Sequence, residues 1–205
     1  MQLKDGDRIL FNGDSLTDAG RDRGDFHSLS GYNKIIADAL AAFCPEKKIE
    51  AFNRGVGADK VRHLLARIGQ EVEELRPTAV SLLIGINDVW QTADGRDPIT
   101  AEEFERQYRA VLDECKKTAD RIVIIEPFTI QPFAIGTRMR PQLAAVNTVI
   151  RKLAAEYKTE FIPADGIFAE LSVKNGGALY SREDGVHLTA AGNAALAREW
   201  LKRVF

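Results

Sequence analysis

The chain has 205 residues, of which 28 are basic and 30 acidic, so its formal net charge is −2, and 45% of its residues are hydrophobic. These values are ordinary for a soluble globular protein, which at this length buries roughly 70% of its unfolded surface and needs no disulfide or structural metal. Charges of both signs are mixed along the chain without a concentrated basic stripe, which excludes nucleic acid as an expected partner.

The sequence contains no Pro/Gly/Ser-rich linker and no shift in composition, so we expect one domain over residues 1–205. The N-terminus lacks the basic and then apolar run of a secretory signal, and no apolar stretch approaches the length of a bilayer span. We therefore expect a cytoplasmic protein without a membrane partner. Cys44 and Cys115 have no CxxC spacing, so we expect each to pack as a small hydrophobic residue. We expect both thiols to be reduced. The sequence does not determine the oligomeric state, and a homo-oligomer is one alternative.

Five short segments rich in Ile, Val, Leu and Phe predict β-strands. They are residues 8–12, 48–53, 79–84, 121–126 and 160–163. Residues 79–84 and 121–126 are apolar nearly throughout, which is typical of strands in a parallel sheet that is covered on both faces.

Amphipathic segments separate these strands and predict helices. One carries a stripe of apolar residues spaced three or four apart, namely Leu143, Val146, Ile150, Leu153 and Tyr157. Residues 100–117 form another, in which Thr100 and Glu103 predict a capping box. Strand and helix therefore alternate, which predicts an α/β fold class: a three-layer α/β/α sandwich around a flavodoxin-like, five-stranded parallel sheet.

Polar blocks follow three of the strands, and a fourth precedes the last helix. They are residues 13–18, 53–57, 85–90 and 184–189. In an open parallel sheet the ligand site lies outside the carboxyl ends of the strands, so we expect these blocks to meet there. Together they contain a serine, an aspartate three residues before a histidine, and several N–H donors.

These residue types predict nucleophilic catalysis. A serine hydroxyl is a poor nucleophile at neutral pH and needs a base, which in turn needs a third group to orient it. Ser15 by itself is equally explained as a residue that caps the following helix. His187 is the expected base because Asp184 lies within reach on a tight turn, whereas His27 lies in the loop 20–31 and His63 in the charged segment 60–67, which predicts a solvated helix face.

The four blocks, in this order and spacing, resemble the GDSL or SGNH hydrolase superfamily, from Ile9 to the last helix. The four residues of that name correspond to Ser15, Gly55, Asn87 and His187. The resemblance implies an SGNH hydrolase fold, a serine esterase that uses no cofactor, and an oxyanion hole formed by the backbone N–H groups of Ser15 and Gly55 with the side-chain amide of Asn87. A glycine at position 55 is expected to let the backbone approach the substrate closely.

Other sites are disfavoured. Asp14, Asp18 and Asp88 suggest a magnesium site, but no phosphate-binding glycine loop accompanies them, so we expect no metal. Residues 55–59 lack the third glycine of a dinucleotide-binding loop and predict a tight turn. The absence of a G-x-S-x-G element disfavours the α/β-hydrolase fold.

Within the superfamily, residues 10–18 and 84–90 are similar to those of bacterial intracellular acetyl-xylan esterases that deacetylate xylo-oligosaccharides. That branch tends to carry a tryptophan at position 183 and a proline at position 188, where this chain has Glu183 and Leu188. Trp90 is the expected sugar contact, because it lies three residues beyond Asn87 and its indole face suits stacking. The alternatives are a lysophospholipase or acyl-thioesterase of the same superfamily and a non-catalytic domain that binds a small ligand.

Overall fold

The computed structural model describes residues 1–205 and contains one sheet of five parallel strands. The strands, in the spatial order β2-β1-β3-β4-β5, are β1 (Arg8–Gly13), β2 (Glu50–Asn53), β3 (Ala79–Leu83), β4 (Arg121–Ile125) and β5 (Glu160–Ile162). All four neighbouring pairs are parallel. The prediction of a five-stranded parallel sheet is confirmed.

Eight α-helices accompany the sheet. They are α1 (Ser15–Asp18), α2 (Gly31–Phe43), α3 (Val61–Leu75), α4 (Ile86–Ala93), α5 (Ala101–Cys115), α6 (Ala134–Tyr157), α7 (Ala164–Asn175) and α8 (Ala190–Leu201). Helix α5 packs between α3 and α6, whereas α2 packs on α8. The predicted α/β sandwich is confirmed. None of the helices combines the length and the apolar character that crossing a bilayer requires.

The core is one contiguous cluster of 49 buried hydrophobic residues, in which every residue of β3 is buried. Ser81 is the polar exception on that strand, and its Oγ accepts a hydrogen bond from the indole N–H of Trp200 at 3.2 Å. Because Trp200 lies on α8 and is fully buried, this contact fixes the helix that follows the His187 loop onto the centre of the sheet.

One strand boundary and one helix cap differ from the prediction for local reasons. Strand β2 begins at Glu50 instead of residue 48, because Lys48 adopts a left-handed conformation (φ +46°) after a short 3₁₀ turn. The predicted capping box forms only in half: Thr100 accepts from the N–H of Glu103, but the Glu103 carboxylate binds side chains of its own helix instead of reaching back. Cys115 is buried and Cys44 is half-buried, as predicted, and the two are not joined by a disulfide.

Candidate active site

Ser15 lies directly beyond the carboxyl end of strand β1, which pairs with β2 and with the central strand β3. Gly13 ends this strand with φ +151°, and a Cβ at this position would overlap the carbonyl oxygen of Leu83 on β3. Asp14 then caps the short helix α1, because its Oδ1 accepts the N–H of Leu16 at 3.0 Å. The strand end and the cap together hold the half-buried Ser15 at the first position of α1.

A continuous chain of hydrogen bonds joins Ser15, His187 and Asp184. Ser15 Oγ lies 2.9 Å from His187 Nε2, and His187 Nδ1 lies 2.6 Å from Asp184 Oδ2. Burial by itself raises the pKa of Asp184, but the hydrogen bonds from the His187 ring and from two backbone N–H groups outweigh it and lower that pKa overall. Asp184 is therefore ionised at neutral pH and can only accept hydrogen bonds. The proton of the neutral imidazole consequently lies on Nδ1, which leaves the Nε2 lone pair facing the Ser15 hydroxyl.

The loop that carries Asp184 and His187 is held by its backbone. Asp184 Oδ1 accepts the N–H groups of Val186 at 2.8 Å and of His187 at 2.9 Å. The carbonyl of Gly185 accepts the N–H of Ile130 at 2.7 Å, which anchors the loop to the segment that follows β4. These bonds fix the carboxylate and the imidazole relative to each other, as a base and its orienting acid require.

The role expected for Gly55 is wrong. Its backbone N–H donates to Asn53 Oδ1 at 2.9 Å inside the protein, so it is not free to bind a substrate oxygen. A Cβ at position 55 would overlap the backbone of Thr17 and Asp18. The glycine is thus explained by the close approach of α1 to the end of β2, and not by an approach of the backbone to substrate.

The next turn supplies a different free donor. The N–H groups of Val56, Gly57 and Asp59 bind the carbonyl of Gly13, the Asp18 carboxylate and the carbonyl of Val56, respectively. The N–H of Ala58 makes no hydrogen bond within the protein. Ala58 has φ +67°, a conformation that is strained for a residue with a Cβ.

Asn87 and Ser15 provide two further unoccupied donors around this turn. Asn87 Nδ2 donates one hydrogen to the carbonyl of Asp59 at 3.0 Å, which leaves its second amide hydrogen free. The backbone N–H of Ser15 also has no partner within the protein. Sequence reasoning missed Ala58 because every residue except proline carries a backbone N–H, so no residue type marks such a donor.

The two remaining histidines lie apart from this arrangement. His27 is exposed and packs against the ring of Phe52 with centroids 4.8 Å apart, and His63 is exposed and accepts the N–H of Lys60 at the start of α3. The charged segment 60–67 is less solvated than predicted. Lys60 is 2% exposed and pairs with Asp97, because its stem lies in the interior while its ammonium reaches a carboxylate.

A buried polar cluster supports the ends of β1 and of the turn. Arg67 binds both Asp59 and Glu71, and its guanidinium also donates to Asn12 Oδ1 at 2.9 Å and to the carbonyl of Gly13 at 3.2 Å. Asn12 Nδ2 donates in turn to Glu71 at 2.6 Å. One side chain of α3 therefore ties β1 to the turn that holds Ala58.

Two carboxyl groups near Ser15 are buried without full hydrogen bonding. Burial, with repulsion from Asp88 and Asp59, raises the pKa of Asp14 to about 7, and burial raises that of Asp88 to about 6. Asp14 Oδ2 and Asp88 Oδ1 have no hydrogen-bond partner in the protein. Asp18 instead forms an ion pair with Arg23. The structure contains no group of three acidic, histidine or cysteine side chains arranged as metal ligands.

An open cavity of about 700 Å³ adjoins Ser15 and His187. It lies between the segment that follows α1, the start of α2 and the start of α8, and nine of its 15 lining residues carry polar or charged side chains. Trp90 does not line this cavity; it lies on α4, three residues beyond Asn87, half-buried against the core. Residues three apart share a helix face, so its role as a sugar contact stays a prediction.

Comparisons with known proteins bear on this geometry. Residues 11–195 match the model of the GDSL-like lipase/acylhydrolase family. The chain is 32% identical to an acetylxylan esterase of Geobacillus stearothermophilus, and the alignment covers the whole chain and 96% of that relative. The crystal structure of that bacterium's acetylxylan esterase Axe2 superposes with a TM-score of 0.90 at 31% identity, covering 98% of this chain and 95% of the other.

Further structures agree with this result. A putative GDSL-like lipase from Parabacteroides merdae superposes with a TM-score of 0.91 at 31% identity, covering 98% of this chain and 96% of the other. Variants of Axe2 in which a serine, an aspartate or a histidine is replaced by alanine are described as catalytic mutants of that esterase. Since the family model spans most of the sequence and the relative spans all of it, the chain belongs to the GDSL-like lipase/acylhydrolase family and is a carboxylic ester hydrolase.

Proposed function

We propose that the protein removes acetyl groups from small carbohydrates such as xylo-oligosaccharides, with Ser15, His187 and Asp184 as its catalytic triad. The observation that carries the proposal is the hydrogen-bonded chain from Ser15 Oγ through both nitrogens of His187 to Asp184. The serine, aspartate and histidine replaced in the catalytic mutants of Axe2 are the same three residue types, which supports the assignment.

The reaction follows from the positions of these protons. Ser15 Oγ attacks the ester carbonyl while its proton passes to His187 Nε2, and Asp184 stabilises the imidazolium that results. The carbonyl oxygen becomes an oxyanion, for which we assign the N–H groups of Ser15 and Ala58 and the free amide hydrogen of Asn87 as donors. When the bond to the sugar oxygen breaks, His187 gives its proton to that oxygen and the sugar leaves as an alcohol. His187 then deprotonates a water molecule that attacks the acetyl-serine, and it returns this proton to Ser15 Oγ as acetate leaves.

The assignment of Ala58 rests on the turn around it. Gly57, the residue before it, donates to Asp18 on the helix of Ser15, and Asp59, the residue after it, accepts from the side chain of Asn87. A strained residue with an unused donor, held from both sides, is typical of a functional turn.

The lining of the cavity favours a small acyl group. Its apolar members are Leu16, Ala19, Leu188 and Ala190, and none is aromatic. A fatty acyl chain needs an elongated apolar groove, whereas an acetyl group needs contact with only a few atoms. The 32% identical acetylxylan esterase supports the same choice of acyl group and of a carbohydrate alcohol.

The test is an acyl-length series run beside acetylated xylo-oligosaccharides. We expect turnover of 4-nitrophenyl acetate, a steep fall from acetyl to butyryl, and negligible rates for octanoyl esters. Ser15→Ala should abolish all of it, whereas Ser172→Ala, which removes a hydroxyl from helix α7, should keep it. An organophosphate should add one adduct, located at Ser15 by mass spectrometry.

Other outcomes would favour other functions. Comparable rates on octanoyl and acetyl esters would support a lysophospholipase or thioesterase with the same triad. Absence of any turnover, with a ligand still bound, would support a non-catalytic binding domain.

A further inference from the structure

The cavity beside Ser15 is strongly cationic. Its lining includes the guanidinium groups of Arg21, Arg23 and Arg182, and its only carboxylate is that of Asp18. Arg23 and Asp18 neutralise each other in an ion pair. Two positive charges therefore remain without a carboxylate, within the same cavity as the serine and histidine of the triad.

Arg21 is held in place but not neutralised. Its guanidinium donates only to backbone carbonyls, those of Gly55 and Asp22, both at 3.3 Å. Burial lowers its pKa, and so do the positive charges of Arg54 and Arg23, with only Asp18 opposing them. Burial is the largest cause of this lower pKa, and the neighbouring arginines add to it. Because an arginine side chain stays protonated in a protein, a bound anion would stabilise the partly buried charge.

Arg182 is the second arginine of the cavity whose charge is not neutralised. It is exposed, its side chain makes no hydrogen bond or ion pair, and it lies two residues before Asp184 on the loop of the triad. Its backbone is nevertheless fixed, because its N–H donates to the carbonyl of His187 at 2.8 Å. The guanidinium is thus tethered beside the reacting ester with all five of its N–H donors available.

The same cavity contains no tryptophan, tyrosine or phenylalanine on which the face of a neutral sugar ring could stack. At position 183 the chain has a glutamate and not the tryptophan typical of the xylo-oligosaccharide branch. The recognition available here is therefore electrostatic and polar. The acetyl group is small and carries no charge. A negative charge that pairs with these two arginines must therefore lie in the alcohol part of the ester.

We propose that the natural substrate is an acetyl ester whose alcohol part carries an anionic group, a carboxylate or a phosphate, which binds between Arg21 and Arg182 while the acetyl group lies at Ser15. The inference rests on the proposed esterase function and narrows its substrate class. A uronic acid residue in an oligosaccharide and a sugar phosphate both provide such a group. Arginine suits either one, because its planar fork matches the two oxygens of the anion.

The experiment compares matched substrates. Values of kcat/KM are measured for an acetylated neutral xylo-oligosaccharide, for the same oligosaccharide bearing a uronic acid, for an acetylated sugar phosphate, and for 4-nitrophenyl acetate. We expect one anionic substrate to exceed the neutral one by about tenfold or more, as one charge-assisted hydrogen bond allows. The preference should shrink as NaCl rises from 50 to 500 mM, because salt screens partly exposed charges. The two anionic substrates show which anion is recognised.

Variants then assign the preference to these residues. Arg182→Gln should reduce the ratio of anionic to neutral kcat/KM by about tenfold, and Arg182→Glu should reduce it further. Arg21→Lys keeps the charge but loses the fork and should reduce the ratio less than Arg182→Gln does. Arg198→Gln makes the same change of charge on an exposed part of α8 and should keep the wild-type ratio.

Three results would overturn the inference. Equal kcat/KM values for the neutral and both anionic substrates would refute it while leaving the esterase intact, and so would a preference that survives Arg182→Glu. Failure to hydrolyse even 4-nitrophenyl acetate would refute the proposed function and this inference with it.

Discussion

Asp14, the residue before Ser15, should make the protein less stable as the pH rises. Its side chain is fully buried, Oδ1 caps α1, and Oδ2 has no partner in the protein. Burial is the main reason why its pKa is about 7 in the folded state, against an ordinary value of 3.8. Between these two values the folded protein retains a proton that the unfolded chain releases. A raised carboxyl pKa therefore lowers the free energy of unfolding as pH increases.

The size of the effect follows from the two pKa values. One pKa unit corresponds to about 1.4 kcal/mol, and from pH 5 to pH 8 only the folded state titrates, so the contribution of Asp14 falls by about 2.5 kcal/mol. Asp14→Asn keeps an oxygen that can accept the N–H of Leu16 and removes the titration. Its free energy of unfolding should therefore vary less with pH than that of the wild type, by this amount across the interval.

Urea denaturation followed by circular dichroism at pH 5, 6, 7 and 8 measures the difference. An unpaired amide hydrogen in the variant would shift its stability equally at every pH, so the slope is the informative quantity. Asp5→Asn removes the same charge from an exposed position and should run parallel to the wild type. If Asp14→Asn also runs parallel to the wild type, Asp14 is ionised in the folded protein and the argument from its burial is wrong.

Three further predictions concern the site itself. Gly55→Ala should lower the free energy of unfolding by about 1–3 kcal/mol, because its Cβ would overlap α1. Gly166→Ala makes the same change on α7, where a Cβ has open space, and should not lower it; thermal denaturation measures both. Asn87→Ala should lower kcat about a hundredfold with little change in KM, and a change in KM alone would make Asn87 a ground-state contact. Trp90→Ala should reduce kcat/KM for acetylated oligosaccharides more than for 4-nitrophenyl acetate, and an equal reduction would assign Trp90 to packing.

The sheet was predictable because its signal is local. Apolar runs such as residues 79–84 are determined by burial on both faces, and a run of that kind can be read from consecutive residues. The boundaries were less predictable where a single backbone torsion decides them. Lys48 fits an extended segment by residue type, but its positive φ excludes it from β2.

The candidate site was predictable where side chains form it. Ser15, Asp184 and His187 carry groups that few other residues provide, and their positions within four successive polar blocks indicated the chain of hydrogen bonds. The role of Gly55 was not predictable, because whether its N–H is free depends on the side chain of Asn53 and on the path of α1. The unpaired charges of the cavity were hidden for a similar reason: Arg21 and Arg182 lie 161 positions apart in the chain and share a cavity only after folding.

The strand order explains why these distant blocks form one site. In the order β2-β1-β3-β4-β5, the chain leaves β1 toward one edge to form β2 and returns past β1 to form β3. The ends of β1 and β3 flank the point where the direction of winding reverses, and there the connecting segments diverge and leave a crevice. Ser15 follows β1 and Asn87 follows β3, so both border this crevice, and the turn of Ala58 reaches it from β2 on the other side of β1. His187 needs no strand of its own, because the burial of Trp200 against β3 brings the start of α8, and with it the His187 loop, over the same crevice.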